Sequence, residues 1–380
     1  MDAEVPLLHE LGYEVFVPKK ISNSMECRTA KVDFSYDKHL SIDRDDLALL
    51  NGFNFYTEDW PLEIINCLNR HFDIAITPCI IPTLFNIARF FRGEIFIRVF
   101  GVAGDLNYEA LTDCALDQIR SLEEKIGDRK LNPLSRIANM LTDSGNRISL
   151  RHRNALTKWL YRARDRIHLA PSYTEITLNE LDFFKSRSVY LPLGFGNSLL
   201  QHSNTWVGGD PKICFVCPNL NQNAYYRSIY ERFVAGFGHL PYVVAGRQEL
   251  GETHLETQIH DPALVGFQER SDYDRMLQSC SLMFYHSREP RHLHYHPLEA
   301  ILFGMPLIYL SGGLLCTLGG DGLPGMCQDE NEAVEKASRI LNGDVELIER
   351  IRNSQVKMLE KFDRNFVKGI WESNFLAKAG

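Results

Sequence analysis

No stretch of the sequence approaches the ~20 consecutive apolar residues of a membrane span. The first residues also lack the charged-then-apolar pattern of a secretory signal. No G-x-G-x-x-G follows a strand-like run, which argues against a Rossmann dehydrogenase. A positive excess is missing too. Net charge is -8, so the chain makes no global electrostatic case for nucleic acid, and no nucleic-acid partner is expected. Short-period repeats and low-complexity tracts are absent. The nine cysteines are an odd count without dense spacing. The one C-x-x-C read here, Cys214 and Cys217, lies in a strand-like run where residues three apart face opposite sides. A shared metal or disulfide is not expected there, and reduced thiols fit a cytoplasmic location.

What is present is a soluble globular composition, 44% hydrophobic and 24% charged, in a chain of 380 residues. That length suits two domains. Apolar strand-like runs alternate with helical stretches, which predicts α/β architecture with parallel sheets. In the first half the strands are expected at 13–17, 52–56, 73–77, 94–99, 166–170 and 188–193. In the second half they are expected at 212–217, 241–245, 263–266, 282–286 and 306–310. Helices are expected near 60–71, 80–91, 107–125, 150–163 and 173–184, then 223–237, 270–280, 297–304, 331–341 and 345–361. The Gly-, Asn- and Ser-rich stretch 194–211 reads as a hinge. The expected partition is a first domain 1–195, a second domain 196–361, and a terminal helix 362–380 packing back on the first.

Ligands in open α/β sheets bind beyond the carboxyl ends of the strands. The strand 282–286 leads through a loop to His296-Pro297-Leu298-Glu299-Ala300 and on to Gly304-Met305-Pro306. Pro297 suits a first helical turn. It puts Glu299 in that turn, where a carboxylate and backbone N–H groups can hold a ribose diol and a phosphate. Ser287, Glu289, Pro297, Glu299, Ala300, Gly304 and Pro306 together resemble the nucleotide-binding core of GT-B glycosyltransferases. Val243 to Arg247, Val265-Gly266-Phe267 and Tyr273 to Cys280 resemble the segments preceding that core.

The resemblance implies two doubly wound Rossmann-like domains facing a cleft, and an enzyme moving a sugar from a nucleotide-sugar donor to a glycan or lipid-linked acceptor. Surface polysaccharide or glycoconjugate synthesis is the implied setting. Glu299 would bind the donor ribose, Glu289 would lie near the transferred sugar, and Phe267 would flank the base. No bound cofactor or metal is implied beyond a UDP-, GDP- or dTDP-sugar as co-substrate. Two departures stand out. Glu289 and Glu299 lie further apart than in the common retaining pattern. The loop after the first strand of the second domain offers Asn219 and other amides in place of basic residues. Arg247, just past Gly246, is the candidate phosphate contact, and His296 with helix N-terminal amides would offset leaving-group charge. His296-Pro297 also resembles the His-Pro pair of transferases that use CMP-Kdo or CMP-sialic acid. A CMP-sugar donor, or a non-catalytic sugar-nucleotide-binding relative, are the alternatives. His286, His292, His294 and His296 read either as a polar loop lining a phosphate pocket or as a metal site, which no carboxylate or cysteine cluster completes.

The first half offers position alone. Asp59, in Tyr56-Thr57-Glu58-Asp59-Trp60-Pro61, follows a strand-like run and could activate an acceptor hydroxyl or, like Thr57, cap the next helix. Asp105 follows another strand after Gly101 and Gly104, as a base or as part of a turn. Residues 147–166 carry seven Lys and Arg against Asp165, with Trp159, Leu160 and Tyr161 between. That pattern reads as a solvated face or as peripheral contact with the inner membrane surface.

Overall fold

Three of the apolar runs in the first half pair in parallel: β1 (Ile74–Pro78), β2 (Glu94–Val99) and β3 (Ile167–Pro171), in the order β1-β2-β3. The computed structural model describes residues 3–19, 35–56, 59–78, 81–99, 159–160, 162–177, 186–221, 224–248 and 258–379. The chain forms two compact units, one of residues 3–193 with 368–380, the other of residues 194–367.

In the first unit, α1 (Glu4–Glu10), α2 (Arg44–Gly52) and α3 (Leu62–His71) precede the sheet, and α4 (Ile81–Phe90) joins β1 to β2. Asp43 starts α2 by accepting the Asp45 and Asp46 N–H groups. Ile64, Ile65 and Cys67 form the buried stripe of α3. The sheet buries Ile95, Phe96, Ile97, Ile167 and Leu169. It also buries Arg98, which ion-pairs with Glu4 at 2.6 Å and donates to the Ala170 and Leu191 carbonyls at 3.1 and 2.6 Å. Residues of the chain's end belong to this unit. Trp371 donates to the Pro192 carbonyl at 3.0 Å, and Phe375 packs on Phe96 with ring centroids 4.8 Å apart.

The second unit contains a six-stranded parallel sheet in the order β6-β5-β4-β7-β8-β9. Its strands are β4 (Asp210–Val216), β5 (Tyr242–Ala245), β6 (Leu264–Gly266), β7 (Cys280–Tyr285), β8 (Leu307–Leu310) and β9 (Met326–Cys327). Its helices are α5 (Asn197–Leu200), α6 (Ala224–Phe237), α7 (Arg270–Ser279), α8 (His296–Phe303), α9 (Leu314–Gly319), α10 (Glu330–Leu341) and α11 (Val345–Gln355). The helix α12 (Arg364–Asn374) leads on to the first unit. Alternate strand residues divide the two faces. Ile213, Phe215, Leu282, Phe284 and Ile308 join Phe233 and Phe237 of α6 and Ala333, Ala337 and Ile340 of α10 in one core. Cys214, Met283, Tyr285, Leu307 and Tyr309 are buried but take no part in that core. Cys214 and Cys217 are both free and buried.

Three expected strands are not strands. Residues 13–17 and 52–56 enter no ladder: Gly52 ends α2, and Phe16 packs its ring on Phe55 and Phe72. Residues 188–193 form no named strand, yet they run beside β3: Ser188 bridges Leu169, and the Val189 and Leu191 N–H groups donate to the Leu169 and Pro171 carbonyls at 2.7 and 3.1 Å. Pro61 itself occupies the N-cap position of α3, so Asp59 does not cap that helix. Expected helices at 107–125 and most of 150–163 and 173–184 lie outside the described residues.

Candidate functional site

In the second unit the chain leaves β4 to one side for β5 and β6, then returns to β7 on the other side of β4. Loops after β4 and β7 therefore diverge, and the point of divergence is where ligands of such sheets bind. The loop after β4 is fastened to the loop after β5. Asn219 N–H donates to the Arg247 carbonyl at 2.9 Å, and the Gln248 amide donates to the Cys217 and Gly246 carbonyls at 3.1 and 2.9 Å. Gly246 has φ +122, and a Cβ there would stand 3.0 Å from the Cys217 and Pro218 backbone, so the close approach requires glycine. Asn219 also has positive φ, at 53°. Asn219, Gly246 and Arg247 thus meet through their backbones. Phe267, one residue past β6, is 54% exposed.

Helix α8 begins with Pro297 in its first turn and ends at Gly304, which is left-handed with φ 85. No side chain caps its N-terminus. Glu299 in its first turn is 8% exposed, and its carboxylate accepts from Arg270 Nη1 at 2.7 Å. Arg270 Nη2 lies 2.5 Å from Asp274, one turn along α7. Burial raises the Glu299 carboxyl above its ordinary range, Arg270 opposes the rise, and Asp274 adds to it. Two carboxylates thus share one guanidinium at the N-termini of two helices. Arg270 escaped sequence reading. Its one visible signal is the four-residue spacing to Asp274.

After β7, Glu289 is half-buried and holds Arg291 Nε at 3.3 Å. Its carbonyl accepts Leu314 N–H at 3.0 Å. A Cβ on Gly313 would stand 2.7 Å from the Ser287 carbonyl, so this loop presses against a glycine. Arg288 is spent on the Ser311 and Gln328 carbonyls at 3.0 and 2.6 Å. Ser287, Arg288 and Glu289 line a cavity of about 280 Å³ with Tyr225, Arg232 and His286. The imidazoles of His292, His294 and His296 follow one another at 4.6 and 5.4 Å between centroids, and Tyr285 Oη lies 3.1 Å from His294 Nδ1. Burial first, then His286 and His292, pushes His296 down to about 3. That direction favours the neutral imidazole at neutral pH.

Comparison with solved structures gives sucrose-phosphate synthase from Thermosynechococcus elongatus at TM-score 0.50 and 12% identity, covering 98% of this chain and 91% of that one. The chain has the GT-B fold. HepE of Anabaena in complex with UDP aligns at TM-score 0.48 and 12% identity, over 83% of this chain and 81% of that one. TarM aligns at 0.49 and 11%, over 82% of this chain, which spans only 57% of TarM's length. No family model and no curated protein matches the chain.

Within this GT-B chain the remaining expected residues fall in the first unit. Asp59 is exposed. Asp105 and residues 147–158 and 161 lie outside the described residues.

Proposed function

We propose that this chain is a glycosyltransferase that moves a sugar from a nucleotide-sugar donor to a glycan or lipid-linked acceptor in surface polysaccharide or glycoconjugate synthesis. The observation that carries the reading is Glu299. It is a buried carboxylate in the first turn of a helix in a sheet of nucleotide-binding topology, held by a single half-exposed arginine. In this reading the second unit holds the donor and the first unit the acceptor. Glu299 accepts hydrogen bonds from the ribose hydroxyls, and Arg270 turns from it toward the negative phosphates. The fastened loops carrying Asn219, Gly246 and Arg247 border the nucleotide, with Phe267 beside the base and Pro297 setting the helix start. Arg247 supplies positive charge to the phosphates and His296 a neutral hydrogen bond. Glu289 faces the transferred sugar, and Asp59 or Asp105 takes the acceptor proton. UDP-, GDP- and dTDP-sugars are the donor candidates. No described helix is long and apolar enough to cross a membrane. Residues 147–166 are the proposed contact with a membrane surface.

A thermal-shift panel of UDP-, GDP-, dTDP- and CMP-sugars identifies the donor, and release of its nucleotide in the presence of acceptor extracts tests turnover. Glu299→Ala should weaken nucleotide binding at least tenfold by calorimetry. An unchanged affinity removes Glu299 from the ribose role.

A further inference from the structure

In the first unit Asp46, Cys67 and His71 bring a carboxylate, a thiol and an imidazole together, with one ligand atom from each within 4.8 Å of the others. Local sequence builds the arrangement. Cys67 and His71 are four residues apart on α3 and so share one face of it. Asp46 comes from the first turn of α2, a turn fixed by the Asp43 cap at 3.1 and 2.9 Å. His71 Nε2 stands 2.6 Å from Asp46 Oδ2, and Cys67 Sγ stands 3.9 Å from the Asp46 carbonyl. The thiol is buried, while the His71 and Asp46 side chains keep 15% and 17% exposure, which leaves a route for an ion. Among the described residues no other set of three such groups converges this closely.

A plain clamp between two helices accounts for the ion pairs of Asp46 with His71 and Arg70. It does not call for a thiol at the third corner. One sulfur, one nitrogen and one oxygen donor suit a borderline-soft divalent ion better than Mg²⁺ or Ca²⁺, which take oxygen ligands. We infer that Asp46, Cys67 and His71 form a binding site for a zinc-class divalent cation, with water as the fourth ligand. Binding removes the thiol proton to solvent, so a thiolate and a carboxylate neutralise the two positive charges. With metal–ligand bonds near 2.0 Å, the His71–Asp46 contact opens to about 3.3 Å in tetrahedral geometry. Arg70, 2.7 Å from the same Asp46 oxygen and 60% exposed, competes with the ion for that carboxylate. The ion then pins α2 to α3.

The test uses the full chain, reduced, stripped with chelator and titrated with Co²⁺ without any nucleotide sugar, so its result is independent of the glycosyl-transfer reading. One Co²⁺ per chain should bind, with a near-ultraviolet thiolate charge-transfer band and the visible bands of a four-coordinate ion, bleached by equimolar Zn²⁺. Cys67→Ser should abolish the charge-transfer band. His71→Gln should weaken binding at least tenfold, and Arg70→Gln should tighten it several-fold, with circular dichroism verifying each fold. A folded wild type without a thiolate band overturns the proposal, as does an undiminished band in Cys67→Ser. If Cys67→Ser fails to fold, His71→Gln decides, and unchanged Co²⁺ affinity there is equally fatal.

Discussion

In the second unit Phe215, Phe233, Phe237 and Phe284 pack ring on ring against the sheet, Phe215 and Phe233 with centroids 4.0 Å apart. In the first unit the sheet instead carries polar groups inward. Arg98 is 3% exposed and paired with Glu4, and His168 stacks on Phe96 while its Nε2 lies 2.6 Å from Glu94. An apolar core is held by area and packing density, and it loses stability in proportion to the cavity made. A polar sheet face is held by partners, and it fails when one partner is removed and the other stays buried and charged.

The sharpest way to break this contrast starts with Phe215→Ala. It should cost about 3–5 kcal/mol, because the surrounding rings cannot close the space. Urea unfolding followed by hydrogen exchange resolves which unit opens. A loss below about 1 kcal/mol would mean that the aromatic stack relaxes and is not the rigid core described. Next comes Glu4→Ala, which leaves Arg98 buried without its carboxylate and should cost about 3 kcal/mol in the first unit. Adding Arg98→Met should recover much of that loss, since the buried charge goes with it. If the double variant is as unstable as the single one, Arg98 serves through its carbonyl contacts at Ala170 and Leu191 rather than through the pair.

The same contrast decides what could be read from sequence. In the second unit apolar runs bounded by turn residues really are strands, and the expected 212–217, 241–245, 263–266, 282–286 and 306–310 all fall on observed strands within a residue or two. Two-residue β9 and the six-residue α9 are too short to leave a periodic trace. In the first unit aromatic residues near 13–17 and 52–56 look like strand residues but pack on one another, which pattern alone cannot distinguish. Pro297 and Gly304 announce the ends of α8, so Glu299 could be placed in its first turn. Arg270 could not be assigned to Glu299, because their contact crosses two helices 29 residues apart. Cys67 and His71 show helical spacing in the sequence, yet Asp46, from a different helix, shows nothing.

The smallest effect concerns imidazoles, and its sign follows from burial. In the first unit His168 has a carboxylate beside it, whereas His286, His294 and His296 in the second are half-buried, His286 against Phe215 and Tyr285, His294 and His296 against Tyr285 and each other. Burial first, then Arg232, pushes His286 down to about 4, and His296 falls to about 3. His294 is lowered too, by burial and then by His296 and His292. In the unfolded chain each imidazole takes its proton near pH 6.5. Below that pH the unfolded state holds more protons than the native one, so stability is complete above pH 6.5 and drains away as pH falls toward 4 and 3. Between pH 7.5 and 5.5, a range in which ordinary carboxylates stay ionised, each of these histidines should remove about 1 kcal/mol from the second unit. Hydrogen exchange at the two pH values, compared with His286→Gln and His296→Asn, assigns the slope. Equal protection of the second unit at both values, or a slope that neither substitution reduces, would mean that these imidazoles are solvated, and the polar contrast between the two sheets would then rest on Arg98 and His168.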